Sequence, residues 1–267
     1  MGYYRLAGLN TNGDIQMKPK ISIITATHRR PDLLYKCIKS VQSSTFKEYE
    51  HIIVGDHCLW AKKICDLFKG DNRIKYFETP HPHVWNAGAS AKNIGIREAK
   101  TDYIVYCDDD NIVLDNHLEI MYNELSKGTQ ICASKLYEIT LKQWGDGSIK
   151  ELMQIPIPTD YNFTGGRAHY GDMQCYGHTK SLSDKVGGWI PAEEIQYDKK
   201  WSKSAVNEDG YLLWKFDSIG GEKPVFLQST SVVYYGRGAC SNKDNEYDEN
   251  LNLSELFVYP NLIKRLD

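Results

Sequence analysis

The sequence predicts an α/β fold built on a parallel sheet. In its first half, short apolar runs alternate with segments in which apolar residues recur at the 3.6-residue period of a helix. Strands that alternate with helices form βαβ units, and these units join parallel strands. Three of the predicted strands end in polar or acidic residues, and parallel sheets bind ligands beyond the carboxyl ends of their strands. The 267 residues are enough for one large α/β domain or two small ones.

The predicted elements of the first half follow a polar extension over residues 1–18. Pro31 and Asp32 open the first helix, since proline suits the first helical position and an acid suits the first turn. Gly70 ends the second helix, and Asp115 or Asn116 caps the fourth. The predicted strands are 21–25, 51–55, 73–77 and 103–107, and the predicted helices are 31–41, about 60–69, about 89–99 and 115–125.

The second half is less regular. A strand is expected at 131–137, a turn at 144–148, a helix at about 205–217, an apolar run at 225–235 and a polar tail at 240–250. Residues 155–180 mix Pro, Gly, Tyr and Asn, a composition more typical of binding loops than of a repeated scaffold. No linker separates the halves, so residues 1–267 are interpreted as one domain with subdomains at 19–128 and 129–267.

Composition excludes several classes of protein. With 41% hydrophobic and 25% charged residues the chain can bury a core, and a net charge of −3 gives no reason to expect a nucleic-acid partner. The seven cysteines occur singly with no CxxC pair, which favours reduced thiols in the cytoplasm over a structural zinc site. Neither a signal peptide nor a membrane span is predicted.

Three consecutive carboxylates, Asp108, Asp109 and Asp110, directly follow the apolar run 103–107. Because side chains alternate along a strand, Asp108 and Asp110 are expected to point to the same side. Their hard oxygen atoms suit Mg²⁺ or Mn²⁺, which commonly also bind substrate phosphates. The triplet alone is equally compatible with the start of the next helix, where acids meet the positive helix end.

A second acidic position lies at the start of the helix near 208. Asp209 shares the apolar stripe of Leu212, Leu213 and Phe216, where an acid is costly unless it has a partner or a function. Burial raises the pKa of a carboxyl and improves it as a proton acceptor near neutral pH. Helix capping remains the alternative, and Glu208 is expected to lie towards the surface.

The segments 20–34, 49–56, 91–99 and 103–111, followed by Asn207-Glu208-Asp209, resemble the GT-A nucleotide-diphospho-sugar glycosyltransferases of glycosyltransferase family 2. The resemblance implies a three-layer sandwich with a mostly parallel central sheet. It further implies a nucleotide-sugar-binding subdomain over 19–128 and an acceptor-binding subdomain with a C-terminal tail over 129–267. The ordered set of motifs is far more specific than any single one.

The resemblance also implies roles for individual residues. The donor would be a UDP-sugar, the cofactor Mn²⁺ or Mg²⁺, and Asp209 the base that activates an acceptor hydroxyl for inverting transfer. The nucleobase would contact Thr25, Thr27 and Asp56, and the ribose or diphosphate would contact Lys92 or Asn93. Asp108 and Asp109 would contact the ribose and the metal, and Asp110 would be the main metal ligand. The late histidine that many relatives use as a further metal ligand is missing, as is the Gln-x-x-Arg-Trp motif of processive relatives.

Weaker expectations concern the acceptor half. Asp172, Gln174, His178 and Glu208 are candidates for binding acceptor hydroxyls, with ordinary loop structure as the alternative, and Arg237 is a candidate for the diphosphate. The acceptor would be a glycan, a lipid-linked molecule or another hydroxyl compound, which suits a cytoplasmic protein that contacts the inner face of the membrane peripherally. A non-catalytic carbohydrate-binding protein and a sugar-nucleotide nucleotidyltransferase of related fold are the alternative functions.

Overall fold

The computed structural model describes residues 17–81, 88–143, 149–153, 173–190 and 208–235. The strands are β1 (Ile21–Thr27), β2 (Tyr49–Gly55), β3 (Ile74–Glu78), β4 (Tyr103–Tyr106), β5 (Ile112–Val113), β6 (Ile131–Gln143), β7 (Ile149–Met153), β8 (Tyr176–Thr179) and β9 (Val225–Tyr235). The helices are α1 (Pro31–Gln42), α2 (Leu59–Asp66), α3 (Ala89–Glu98), α4 (His117–Leu125), α5 (Lys180–Val186) and α6 (Glu208–Lys215). One 3₁₀ turn, Met173–Cys175, precedes β8, and a π-helical turn, Phe216–Gly220, follows α6.

All of these strands belong to one sheet, in the order β3-β2-β1-β4-β8-β6-β9-β5, with β7 paired to β6. The first four strands of this order are parallel, as the alternating pattern of the first half predicts. The second half is mixed: β8 runs antiparallel to β4 and β6, whereas β6 and β9 are parallel. The predicted α/β fold class is confirmed, and the strands β3-β2-β1-β4 form its continuous parallel part.

Helices cover both faces of the parallel part. On one face, Leu34 and Ile38 of α1 pack with Ile53 of β2 and Ile64 of α2 in one apolar cluster. Helix α3 packs on β1 and β2. It approaches so closely that a Cβ added at Gly95 would lie 2.5 Å from Cγ2 of Ile24. These contacts fix the directions of β1, β2 and β4, whose carboxyl ends carry the predicted site.

Strand β8 corrects the expectation of binding loops over 155–180. Within the described part of that stretch, Tyr176–Thr179 form a strand between β4 and β6, and all four residues are buried. A Cβ at Gly177 would lie 3.1 Å from Cγ1 of Val105, so only glycine fits without displacing its neighbour. The short sequence Tyr-Gly-His-Thr has no aliphatic run, and its place in the sheet depends on long-range pairing. The predicted turn 144–148 and tail 240–250 lie outside the described residues.

The strand order reverses direction between β1 and β4, because the chain proceeds outward from β1 to β3 and then returns to the other side of β1 for β4. Such a reversal opens a crevice beyond the carboxyl ends of the two strands. Thr27 ends β1 and the acidic triplet follows β4, so both lie at this crevice. Among the described helices, none has the length and hydropathy that a membrane span requires.

Candidate active site

The loops after β1 and β2 adopt strained conformations at the edge of the crevice. Arg29 and His57 have φ angles of 52° and 49°, which are uncommon for residues other than glycine. The Arg29 N–H donates to Sγ of Cys58 at 3.1 Å, and Nδ1 of His28 donates to the Asp56 carbonyl oxygen at 2.8 Å. The two loops therefore hold each other, and they deliver Arg30 and Asp56 to the end of the sheet.

Arg30 binds two of the three consecutive carboxylates. Its Nη1 donates to Oδ1 of Asp109 at 3.1 Å and to Oδ2 of Asp110 at 2.8 Å, and the Thr27 hydroxyl donates to Oδ2 of Asp109 at 2.7 Å. The Asp109 side chain is only 5% exposed, and burial raises the pKa of Asp109 to about 7 despite the nearby guanidinium. Burial and the neighbouring Asp108 also raise the pKa of Asp110. We call this group, Arg30 with Asp109 and Asp110, the Arg30 end of the site.

Lys92 links the remaining triplet carboxylate to the second acidic position. Its Nζ lies 3.3 Å from Oδ1 of Asp108 and 3.8 Å from Oδ1 of Asp209, and its side chain is 6% exposed. The ammonium also lies 4.2 Å from the centre of the Trp189 ring, within the range of a cation–π interaction. We call Lys92, Asp108 and Asp209 the Lys92 end. In this group Lys92 and Asp209, which are 117 positions apart in the sequence, form an ion pair.

The turn that carries Trp189 is fixed from several sides. The Asn93 side chain accepts from the Trp189 N–H and donates to its carbonyl oxygen, both at 2.9 Å. The indole Nε1 donates to the Tyr106 hydroxyl at 3.0 Å, and Nζ of Lys215 donates to the Gly188 carbonyl at 2.5 Å. Gly188 has φ 65°, and a Cβ there would lie 2.6 Å from Oδ1 of Asn93, so glycine is required at this position. Lys92 consequently rests on a rigid aromatic surface.

Asp209 lies in the first turn of α6, and the apolar stripe predicted for this helix is confirmed by the burial of Leu212, Leu213 and Phe216. One of its oxygens, Oδ2, accepts a hydrogen bond from the Met173 N–H at 3.3 Å. Burial raises the pKa of Asp209 to about 6, although the Lys92 ammonium opposes the rise. A carboxylate whose pKa lies near neutrality is well suited to accept a proton from a hydroxyl.

The chemistry of the donor set fits a divalent cation that is bound partly by the substrate. The site contains four carboxylates and two cations, so it carries two surplus negative charges when fully ionised. Within the described ranges, no three His, Cys, Asp or Glu side chains are grouped closely enough to hold a metal ion by themselves. Mg²⁺ and Mn²⁺ commonly bind one or two carboxylates and complete their shells with water and phosphate oxygens. Asp108 and Asp110 are the carboxylates that would hold such an ion.

Two predicted contact residues are buried away from the crevice in this structure, and their expected roles stay predictions. Thr25 is fully buried, and its hydroxyl donates to the Cys107 carbonyl oxygen at 2.7 Å and bonds Nε2 of His51 at 2.9 Å. His178 is also fully buried, with Nε2 bonded to the Tyr106 hydroxyl at 2.8 Å. Burial lowers the pKa of His178 to about 4, so it remains neutral. In this structure both side chains form hydrogen bonds within the sheet beneath the site.

The other predicted residues occupy intermediate positions. The Oδ1 of Asp56 accepts from the Thr79 hydroxyl at 2.8 Å, and its N–H donates to the Thr27 carbonyl, which places it beside the crevice. Glu208 is half-buried, whereas Gln174 is 1% exposed and therefore closed to an acceptor in this conformation. Asp172 and Arg237 lie outside the described residues.

Sequence reasoning missed Arg30 and Trp189 as site residues. A basic residue directly after the first strand, at the same sheet edge as the acidic triplet, is a signal that could have identified Arg30. Trp189 follows two glycines in a segment with no strand or helix pattern, and only its contact with Lys92 reveals its role.

Comparison with known proteins identifies the family. The model of "Glycosyl transferase family 2" matches residues 22–185, which is more than half of the chain. A Campylobacter jejuni GalNAc(5)-diNAcBac-PP-undecaprenol beta-1,3-glucosyltransferase is 34% identical over 113 residues, covering 41% of this chain and 36% of that enzyme. The uncharacterized glycosyltransferase YwdF of Bacillus subtilis is 32% identical over 177 residues, covering 63% and 61%.

Solved structures show the same fold. TarS 1–349 of S. aureus superposes with a TM-score of 0.59 at 12% identity, covering 81% of this chain and 60% of that chain. The mannosyltransferase PcManGT of Pyrobaculum calidifontis, in complex with GDP-Man and Mn²⁺, superposes with a TM-score of 0.56 at 12% identity, covering 82% and 57%. The matched segment spans well under two thirds of the length of the Campylobacter relative. From its sequence motifs, its sheet and its matched family, the chain belongs to glycosyltransferase family 2 and has the GT-A fold.

Proposed function

We propose that the protein is a metal-dependent inverting glycosyltransferase that uses a UDP-sugar as donor. One observation supports this most directly: Asp209 of the second half lies 3.8 Å from Lys92, which also contacts Asp108 at the donor strand end. A candidate proton acceptor is thus held beside the carboxylates that would bind the metal and diphosphate. A helix cap alone would not require this long-range ion pair.

The donor assignment rests on the crevice between β1 and β4. Asp56 directly follows β2 and lies beside Thr27, where its carboxylate can accept hydrogen bonds from a nucleobase. Among structures of this fold, TarS is known in complex with UDP-GlcNAc and with UDP, with TM-scores of 0.52 and 0.54. PcManGT instead carries GDP-Man with Mn²⁺. A UDP-sugar with Mn²⁺ or Mg²⁺ is therefore proposed, with GDP-sugars as the comparison to be tested.

The proposed reaction is a single displacement at the anomeric carbon. Asp209 takes the proton of an acceptor hydroxyl, the hydroxyl oxygen forms a bond to the anomeric carbon, and the bond from that carbon to the diphosphate oxygen breaks. Attack opposite to the leaving group inverts the configuration. Lys92 supplies a fixed positive charge beside the departing diphosphate, and Arg30 supplies a second one from the loop after β1. A divalent cation held by Asp108 and Asp110 would add positive charge at the same oxygens.

The acceptor is proposed to be a glycan or a lipid-linked molecule. Two relatives of the matched segment are named for such substrates, GalNAc(5)-diNAcBac-PP-undecaprenol and poly(ribitol-phosphate). The partly exposed carboxylate of Asp209 is the group of α6 that an acceptor hydroxyl would meet.

The experiment first identifies a donor and then removes the base. Thermal shift with UDP- and GDP-sugars, with and without Mn²⁺, selects the donor, because a ligand that binds the native state raises its stability. Transfer is then compared for Asp209→Asn and the control Glu208→Gln. Asp209→Asn is expected to lower transfer about 100- to 10,000-fold with donor affinity nearly unchanged. Glu208→Gln is expected to retain most of the activity.

Transfer near the wild-type rate in Asp209→Asn would contradict the proposed base and reduce Asp209 to a helix cap, since asparagine caps nearly as well as aspartate. Donor binding without transfer to any acceptor would instead favour the carbohydrate-binding alternative. Release of pyrophosphate from a nucleoside triphosphate and a sugar phosphate would favour the nucleotidyltransferase.

A further inference from the structure

We propose that Arg30 makes metal binding depend on the nucleotide, because it occupies the carboxylate that the metal needs and leaves it for the donor diphosphate. In this role Arg30 is a positioning residue that sets the order in which ligands enter the site. The inference rests on the proposed function, in which Asp110 is a metal ligand and a nucleoside diphosphate enters the same crevice.

The first step is competition for one oxygen. Nη1 of Arg30 lies 2.8 Å from Oδ2 of Asp110 and 3.1 Å from Oδ1 of Asp109. An Mg²⁺ ion binds a carboxylate oxygen at about 2.0–2.1 Å, so an ion on that oxygen would be in near contact with the guanidinium. The two cations repel each other, and a half-buried site screens this repulsion less than water does. In its present position the Arg30 guanidinium therefore opposes the binding of a metal ion to Oδ2 of Asp110.

The second step is that Arg30 is able to move. Its side chain is 43% exposed, whereas that of Lys92 at the other end of the site is 6% exposed and rests on Trp189. The Arg30 backbone is fixed, since its carbonyl oxygen accepts from the Leu34 N–H at 2.9 Å at the start of α1. A long side chain on a fixed backbone can rotate into the crevice without disturbing the helix. Asp109 keeps the Thr27 hydroxyl when the guanidinium leaves.

The third step is that the donor diphosphate offers the Arg30 guanidinium a new partner. A guanidinium binds two oxygens of a phosphate at once, which a point charge such as a lysine ammonium does not. A donor diphosphate in the crevice offers this pair of oxygens, so the nucleotide draws Arg30 away from Asp110 and opens the oxygen for the metal. Coupling between two ligands is reciprocal, so the metal must tighten nucleotide binding by the same factor.

The experiment measures this coupling directly. Mn²⁺ is titrated by calorimetry into wild type, Arg30→Gln and the control Arg29→Gln, first alone and then with saturating UDP. Arg29 is adjacent, exposed and of the same charge, and it serves as a matched control for net charge. In Arg30→Gln, Mn²⁺ alone is expected to bind about tenfold more tightly than in wild type, equivalent to about 1.4 kcal/mol. The enhancement by UDP is expected to fall by at least the same factor, whereas Arg29→Gln should resemble wild type in both titrations.

Each outcome decides between the two proposals. If Arg30→Gln binds Mn²⁺ alone no more tightly than wild type, while UDP and metal still bind together, the role of Arg30 is wrong and the proposed function stands. If wild type binds neither UDP nor Mn²⁺ under any condition, both are overturned. Should circular dichroism show that Arg30→Gln is unfolded, Arg30→Lys replaces it. Arg30→Lys keeps the charge but loses the two-oxygen fork, so it should bind Mn²⁺ alone as weakly as wild type and show a smaller effect of UDP. An unchanged effect of UDP in that variant would overturn the inference.

Discussion

The Arg30 end and the Lys92 end of the site each join two carboxylates to one cation, but they hold that cation differently. Arg30 comes from a loop and is 43% exposed, whereas Lys92 comes from α3, is 6% exposed and lies over Trp189. Exposed ion pairs contribute little to stability, while removing one partner of a buried pair is costly. From this difference we infer that the Lys92 end is a fixed link between the two halves of the chain and that the Arg30 side chain can rearrange.

The largest expected difference between the two ends is in stability. Lys92→Met should lower the free energy of unfolding by about 3 kcal/mol, because the mostly buried Asp209 loses the cation that it shares with Asp108. Arg30→Gln should lower it by less than about 1 kcal/mol, because the guanidinium is 43% exposed and Asp109, whose pKa is about 7, keeps the Thr27 hydroxyl and can take up a proton. Urea unfolding at pH 7 with a chelator present measures both. Equal losses in the two variants would mean that the ends do not differ in rigidity.

The second prediction separates the ends by ligand binding. UDP with Mn²⁺ at about 100 times its dissociation constant should stabilise wild type by about 2.7 kcal/mol. Asp110→Asn at the Arg30 end should abolish the part of this stabilisation that depends on Mn²⁺, and Asp209→Asn at the Lys92 end should keep it. The thermal shift with UDP, with and without chelator, is the measurement. Stabilisation by UDP that persists in chelator would show that the metal assignment is wrong.

The third prediction uses the pKa of Asp209, which burial raises to about 6 from an ordinary value near 3.8. The folded state then binds the proton more readily than the unfolded state, so this group costs stability as pH rises between these values, and the full cost remains above pH 6. Asp209→Asn should therefore be more stable than wild type by about 1–2 kcal/mol at pH 8, with the difference vanishing near pH 4. Urea unfolding at several pH values in chelator tests this. A difference that does not change with pH would contradict the raised pKa.

The smallest expected effect compares Asp56 beside the crevice with Thr25 beneath it. Asp56→Ala should weaken UDP binding about tenfold, the value of about one charge-assisted hydrogen bond. Thr25→Val should leave UDP affinity within about twofold, although it removes the hydrogen bond to the Cys107 carbonyl and lowers stability by about 1 kcal/mol. Calorimetric titration of UDP into the two folded variants provides the comparison. A large loss of UDP affinity in Thr25→Val would support the predicted contact of Thr25 with the nucleobase.

Much of the first half of the chain could be predicted from the sequence, because the signals for its strands and helices are local. The alternation of strands and helices, the proline at the start of α1 and the acids directly after β4 all depend on neighbouring residues, whereas Gly70 lies beyond the observed end of α2 at Asp66. The parallel order β3-β2-β1-β4 then places the strand ends at one edge, as predicted. The position of Asp209 on the apolar side of its helix could also be predicted locally, because it depends only on the helical period.

Only the tertiary structure decided which of these side chains reach the crevice. Thr25 and Thr27 have the same parity on β1, yet the Thr25 hydroxyl meets the Cys107 carbonyl, and Thr27, nearer the strand end, reaches the Asp109 carboxylate. Alternation along a strand gives the face of the sheet and not the partner opposite it. The contact from Lys92 to Asp209 and the position of Trp189 likewise depend on packing between segments that are far apart in sequence. The periodicity of a single helix or strand does not predict such contacts.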